Sequence, residues 1–159
     1  MTANAAAQRR EHTVNAVRVL DAPRERVFAA WTRAEHLAHW FGPRGFEIHS
    51  CEADPRPGGL FRLCMRAPGG QEYWVRGSFR EVAPPARVVI HCFADDALGV
   101  QRLEEVITVS LADEGGKTRL TLHATAGGTG PEAAGMLRGM EQGWSETLDR
   151  LRERSRAIN

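Results

Sequence analysis

Glu105 is the carboxylate with the most chemistry open to it. It stands in RLEEVITVSL, where Leu103, Ile107, Val109 and Leu111 share its parity in an alternating run. Alternation along a strand sends every second side chain to one face, so Glu105 is directed at the apolar one. A carboxylate there is costly unless paired, and desolvation raises its pKa. Such a group serves as a polar anchor for a bound molecule, or as a proton donor and acceptor. A bulge or register change beside Glu104 would instead return it to solvent. Arg18 shares parity with Val14, Ala16 and Leu20 and is a candidate partner, although Val17 and Val19 leave the buried side of that strand undecided.

Acid–base catalysis needs a second positioned group. Tyr73 and His91 are the candidates beside Glu105; His91 sits in RVVIHCF, where both parities are apolar and its direction stays open. His36 and His39, three apart, suit two metal ligands on one helix face, but no cysteine or acidic cluster with ligand spacing follows. A solvated face is the expectation, and neither a metal nor a cofactor is implied. His49 and His123 lie in strands, His123 on the polar parity. G-x-S-x-G is absent, and GGTGPEAAG (127–135) lacks the Lys-Ser/Thr of a phosphate loop, so it is expected as the loop before a helix. Arg62, Arg66, Arg76 and Arg80 share a wet sheet face, and cross-strand ion pairs are expected of them before a basic docking stripe.

These residues need a sheet to hold them. Val14–Leu20 is expected as a first strand. PRERVFAAW then gives a short helix burying Val27, Phe28 and Trp31. Thr32 begins a second, with Glu35 completing a capping box, and Leu37, Trp40 and Phe41 recur at helical spacing before Gly42-Pro43. Strands follow at Phe46–Ala53, Leu60–Arg66, Tyr73–Val82, Arg87–Phe93, Leu103–Leu111 and Thr118–Ala124, separated by turn-forming DPRPGG, APGGQ, APPA and DEGG. From about Pro131 the period becomes helical, with Met136, Met140, Trp144, Leu148 and Leu151 in one stripe. A one-sided sheet must bury its apolar face on something, and the last helix is the only long amphipathic element offered. The aromatics of WTRAEHLAHWFGP, Trp31, Trp40 and Phe41, then cap one end of the space between sheet and helix, as a plug more than a lid.

At 159 residues the chain supports one domain: an arm over 1–11 and a body over 12–159. With 21 basic against 20 acidic residues it offers no electrostatic argument for nucleic acid or an anionic membrane. No apolar run approaches the ~20 residues of a bilayer span. Three cysteines without a C-x-x-C fit reduced thiols in a cytoplasmic protein.

APRERVFAAWT, HLAHWFGP, DPRPGGLF, the Gly77…Glu81…Pro84-Pro85-Arg87-Val88 run, GGKTRLTL and the closing GW–LDRL together resemble the START-like (SRPBCC) superfamily. Within it they resemble the branch related to activators of the ninety-kilodalton heat-shock protein ATPase. The resemblance implies an α+β helix-grip fold: a curved antiparallel sheet of about seven strands around a long C-terminal helix, with two short helices capping one end. It also implies three functions. The leading expectation is a carrier, not an enzyme, holding an apolar or aromatic molecule between sheet and helix. Its walls would be Phe61, Leu63, Met65, Tyr73, Val75, Phe79, Glu105, Ile107, Met136, Met140 and Trp144. The alternatives are a co-chaperone-like module with a chaperone partner and a polyketide cyclase-like enzyme.

Overall fold

The computed structural model describes residues 8–157. Strand β1 (Arg9–Leu20) leads into two short helices, α1 (Arg24–Thr32) and α2 (Ala34–Trp40). Six strands follow: β2 (Glu47–Ala53), β3 (Leu60–Arg66), β4 (Glu72–Ala83), β5 (Arg87–Asp95), β6 (Gln101–Glu114) and β7 (Lys117–Thr129). The chain ends in α3 (Gly130–Arg138) and α4 (Met140–Ser155). All seven strands form one antiparallel sheet in the order β1-β7-β6-β5-β4-β3-β2. β2 through β7 are sequential hairpins, while β1 and β2 lie at opposite edges. The α1–α2 segment is therefore the link that crosses from one edge to the other, and it does so over one end of the concave face.

Most strands alternate as their sequence demands, β7 most plainly, while β5 buries Val88, Val89 and Ile90 in succession. Phe61, Leu63, Val75, Phe79, Ile90, Ile107, Val109, Leu120 and Leu122 are buried on the concave side with Leu148 and Leu151 of α4. Register breaks at His49, at Arg80 and between Ala94 and Asp95 bend the sheet, since an extra residue on one strand sharpens its twist. Gly77 answers a close approach: a Cβ there would lie 2.0 Å from the His91 carbonyl oxygen.

Four expectations need correction. β1 begins at Arg9, so residues 9–11 belong to the sheet and only 1–7 of the expected arm lie outside the described residues. Thr32 ends α1, its hydroxyl donating to the Phe28 carbonyl (2.9 Å), and α2 starts without a side-chain cap, so the capping box does not form. The expected loop at 127–129 is the end of β7, where Gly127 and Gly128 pair with Glu11 and Arg10 of β1, and at Gly128 the Arg102 carbonyl comes too close for a Cβ. The single long helix is two, parted at Gly139.

Candidate functional site

A cavity of about 320 Å³ lies between the sheet and the α3–α4 pair. Glu105 enters it from β6. Its register partners, Cys92 on β5 and Ala126 on β7, are small, and Gly77 lies beyond Cys92 on β4. The short side chain of Ala126 leaves open space beside Glu105. Ala94, one row along, and the glycines of the facing helices enlarge it: Gly135, Gly139 and Gly143 border the cavity at four-residue intervals, continued by Thr147.

Among the described residues Glu105 has one hydrogen-bond partner. The indole Nε1–H of Trp144 donates to its Oε2 at 3.0 Å. The apolar surroundings penalise the charged form more than this hydrogen bond favours it, so the carboxyl is pushed up to about 7. Burial likewise pushes the adjacent Cys92 thiol well up, with the Glu105 charge adding to it. Asp95 at the rim differs: Arg76 grips both its oxygens, at 3.2 and 2.8 Å.

One wall is the loop after α2. Phe41, Gly42, Pro43 and Phe46 border the cavity. Gly42 has a φ of +102°, which a side chain resists, and its Cα faces the Met65 sulfur. Arg150 of α4 fixes the loop from below. Its Nη1 donates to the carbonyls of Gly42 (2.9 Å), Pro43 (3.1 Å) and Phe46 (3.3 Å). The Arg44 amide adds a bond to Glu146 (3.1 Å), and the Arg44 side chain pairs with Glu153.

Of the expected walls, Met65, Tyr73, Val75, Glu105, Ile107, Met136, Met140 and Trp144 border the cavity. Phe61, Leu63 and Phe79 do not; they sit fully buried in solid core, Phe61 edge-on to both Phe79 (5.7 Å) and Phe41 (5.9 Å). The cap divides as well. Phe41 reaches the cavity, whereas Trp31 and Trp40 pack edge to face at 4.7 Å behind it, Trp40 donating to the Ala30 carbonyl. Trp31 stacks on Trp144 at 6.3 Å and so backs the residue that holds Glu105.

His91 is brought to the other side of the sheet, where its Nε2 donates to Glu104 at 2.7 Å and lowers that carboxyl's pKa. The Glu105–His91 pair is therefore not assembled, and Tyr73 is the expected acid–base partner that shares the cavity with Glu105. Arg18 points to the helix side but bonds Asp149 (3.0 Å) and Ser145 (3.1 Å) of α4, not Glu105. The four sheet arginines are largely engaged: Arg62 covers the Trp74 ring at 4.6 Å, Arg66 pairs with Glu72 and Arg76 with Asp95. His39 is exposed on α2.

Sequence reasoning missed the small residues and the loop wall, including Phe46, Trp74, Ala94, Leu103 and Ala126. The visible signal was the glycine spacing at 135, 139 and 143, which marks one helix face as low.

An open-ended antiparallel sheet gripping C-terminal helices around an apolar cavity defines a START-like, helix-grip protein. The family profile described as activator of Hsp90 ATPase homolog 1-like protein matches residues 21–155, and the chain belongs to that family. Among solved structures, a Chromobacterium violaceum protein is 27% identical, with 89% of this chain and 96% of that chain covered at a TM-score of 0.71. A Nitrosomonas europaea protein is 26% identical over 89% of this chain and 92% of its own, also at 0.71. The AHSA1 protein of Silicibacter pomeroyi, 22% identical over 93% of this chain and 100% of its own with a TM-score of 0.76, shares the fold. Comparison with curated proteins gives no match.

Proposed function

We propose that this protein binds a compact apolar or aromatic molecule in the cavity between the sheet and α3–α4. The observation that carries the reading is an apolar cavity of about 320 Å³ bordered by the Glu105 carboxyl, which accepts from Trp144. Small-molecule sites are mostly apolar, with a few polar groups that fix orientation, and span roughly 300–1,000 Å³. The volume is at the lower end, which favours one or two fused rings over a sterol. Met136 and Met140 suit the role because a thioether adapts to varied shapes. Three free cysteines fit a cytoplasmic setting. A two-dimensional amide NMR titration with fatty acid, flavonoid and aromatic polyketide probes tests this. Shifts clustering on 73–75 and 136–147 support it, and silence across the panel overturns it.

Family membership supports a second reading, a co-chaperone-like module acting on a heat-shock ATPase through its outer surface. Leu98, 88% exposed in the β5–β6 turn, and Val100 would offer apolar contacts there. An unchanged ATPase rate of the chaperone on adding this protein removes that reading.

A further inference from the structure

The polar inventory of the cavity is one-sided. Among the described residues no Arg, Lys or His side chain borders it, and its two ionisable carboxyls differ in state. Asp95 has both oxygens taken by Arg76. Glu105 has Oε2 taken by Trp144, while its Oε1 accepts nothing from the described residues. A half-buried carboxylate on an apolar wall, with no counter-charge beside it, gains most from a partner that brings a positive charge and a donor together. The walls suit the same partner: Phe41, Phe46, Tyr73 and Trp144 border it with aromatic rings, which pack against aromatic bodies and whose faces attract cations. Where Glu105 is ionised, a carboxylate ligand would set a second negative charge beside it and be repelled.

We infer that the cavity selects an aromatic molecule carrying a protonated amine, with the ammonium donating to Glu105 Oε1 and the rings lying against Trp144 and Phe41. The inference rests on the cavity being a ligand site and adds the ligand's class. It brings a pH dependence, since the ammonium needs the carboxylate form, and the Glu105 carboxyl titrates at about 7. Few other groups around Glu105 are ionisable. β5 contributes Cys92, whose thiol burial keeps protonated, and Asp95, already paired; β4 contributes Tyr73. β7 contributes Ala126, and the helices contribute Met136, Met140, Trp144 and Thr147, none of them ionisable.

Three probes of one shape separate the possibilities: naphthylmethylamine, naphthylmethanol and naphthoic acid. Their affinities are read from the Trp144 indole N–H signal and the methyl signals of Met136 and Met140. At pH 8 the amine is expected to bind about tenfold more tightly than the alcohol, with the acid weakest, because the ammonium adds the attraction of opposite charges to the hydrogen bond with the carboxylate. Glu105→Gln should remove the amine's advantage and leave the alcohol's affinity within about twofold. If the alcohol or the acid binds wild type as well as the amine does, the ligand class is wrong and the cavity reading stands. If none of the three moves those signals, both fall. Should Glu105→Gln not fold, wild type is compared at pH 5.5 and pH 8. Amine affinity should rise about tenfold or more with pH while the alcohol's stays level; a level amine profile overturns the inference.

Discussion

Glu105 is the residue on which the functional account turns, and its protonation has a consequence for stability. Burial holds its carboxyl at about 7, against about 4.3 for an unfolded chain. Between those values the folded protein binds a proton that the unfolded chain has released. The stability linked to this group is therefore fully present below about pH 4 and is lost as pH rises through 7. Gln cannot ionise, so Glu105→Gln should gain on wild type by about 3 kcal/mol between pH 4 and pH 8, measured by urea unfolding at both. A gap that does not change with pH would mean that Glu105 reaches water. Its direction was legible in the alternation of Leu103, Glu105 and Ile107. Its partner was not, because Trp144 lies 39 residues away and Arg18 looked equally placed until α4 supplied Asp149 and Ser145. His91 was undecidable for a local reason: Val89, Ile90 and Cys92 are all buried, so apolar neighbours could not tell the two faces apart.

At the scale of elements, the strands were readable from turn chemistry and alternation, and two of the four corrected expectations involve glycine. Gly127 and Gly128 resemble a loop in sequence but continue β7, paired with Glu11 and Arg10 of β1, and at Gly128 the Arg102 carbonyl comes too close for a Cβ. Gly139 parts α3 from α4, yet the apolar stripe runs through it unbroken, so periodicity alone could not show the junction. The same logic gives a test at Gly77. Ala there would drive its methyl into the His91 carbonyl and Cys92, and should cost about 2–3 kcal/mol or prevent folding, read by thermal unfolding. The loop wall depends on Arg150. Removing three hydrogen bonds from a partly buried guanidinium should cost about 2–3 kcal/mol in Arg150→Ala and speed amide exchange at 42–46. Lys keeps the charge but not the fork, so Arg150→Lys should restore little of the protection. Unchanged exchange in Arg150→Ala would mean that the loop is held by Phe41 and Phe46 packing alone.

For the whole molecule, the fold class followed from element order: one long apolar helix stripe and a sheet with one wet face have few ways to satisfy each other. What the order could not convey was where the interior is full and where it is empty. Phe61, Leu63 and Phe79 have the same inward parity as Met65 and Val75, yet the cavity is bordered by small residues, Ala94 and Ala126 on the sheet and Gly135, Gly139 and Gly143 on the helices. Space is a property of opposing surfaces, so no single strand encodes it. The central claim, that this space takes a ligand, is tested most directly by filling it. Ala94 faces the cavity from β5, and Ala94→Leu should occupy the space while leaving the surrounding core in place. The measurement is the Trp144 indole N–H resonance during titration with naphthylmethanol, in wild type and in Ala94→Leu. The account predicts a saturable shift in wild type that weakens at least tenfold in the variant. A shift of equal size and midpoint in both, or none in wild type, would contradict it.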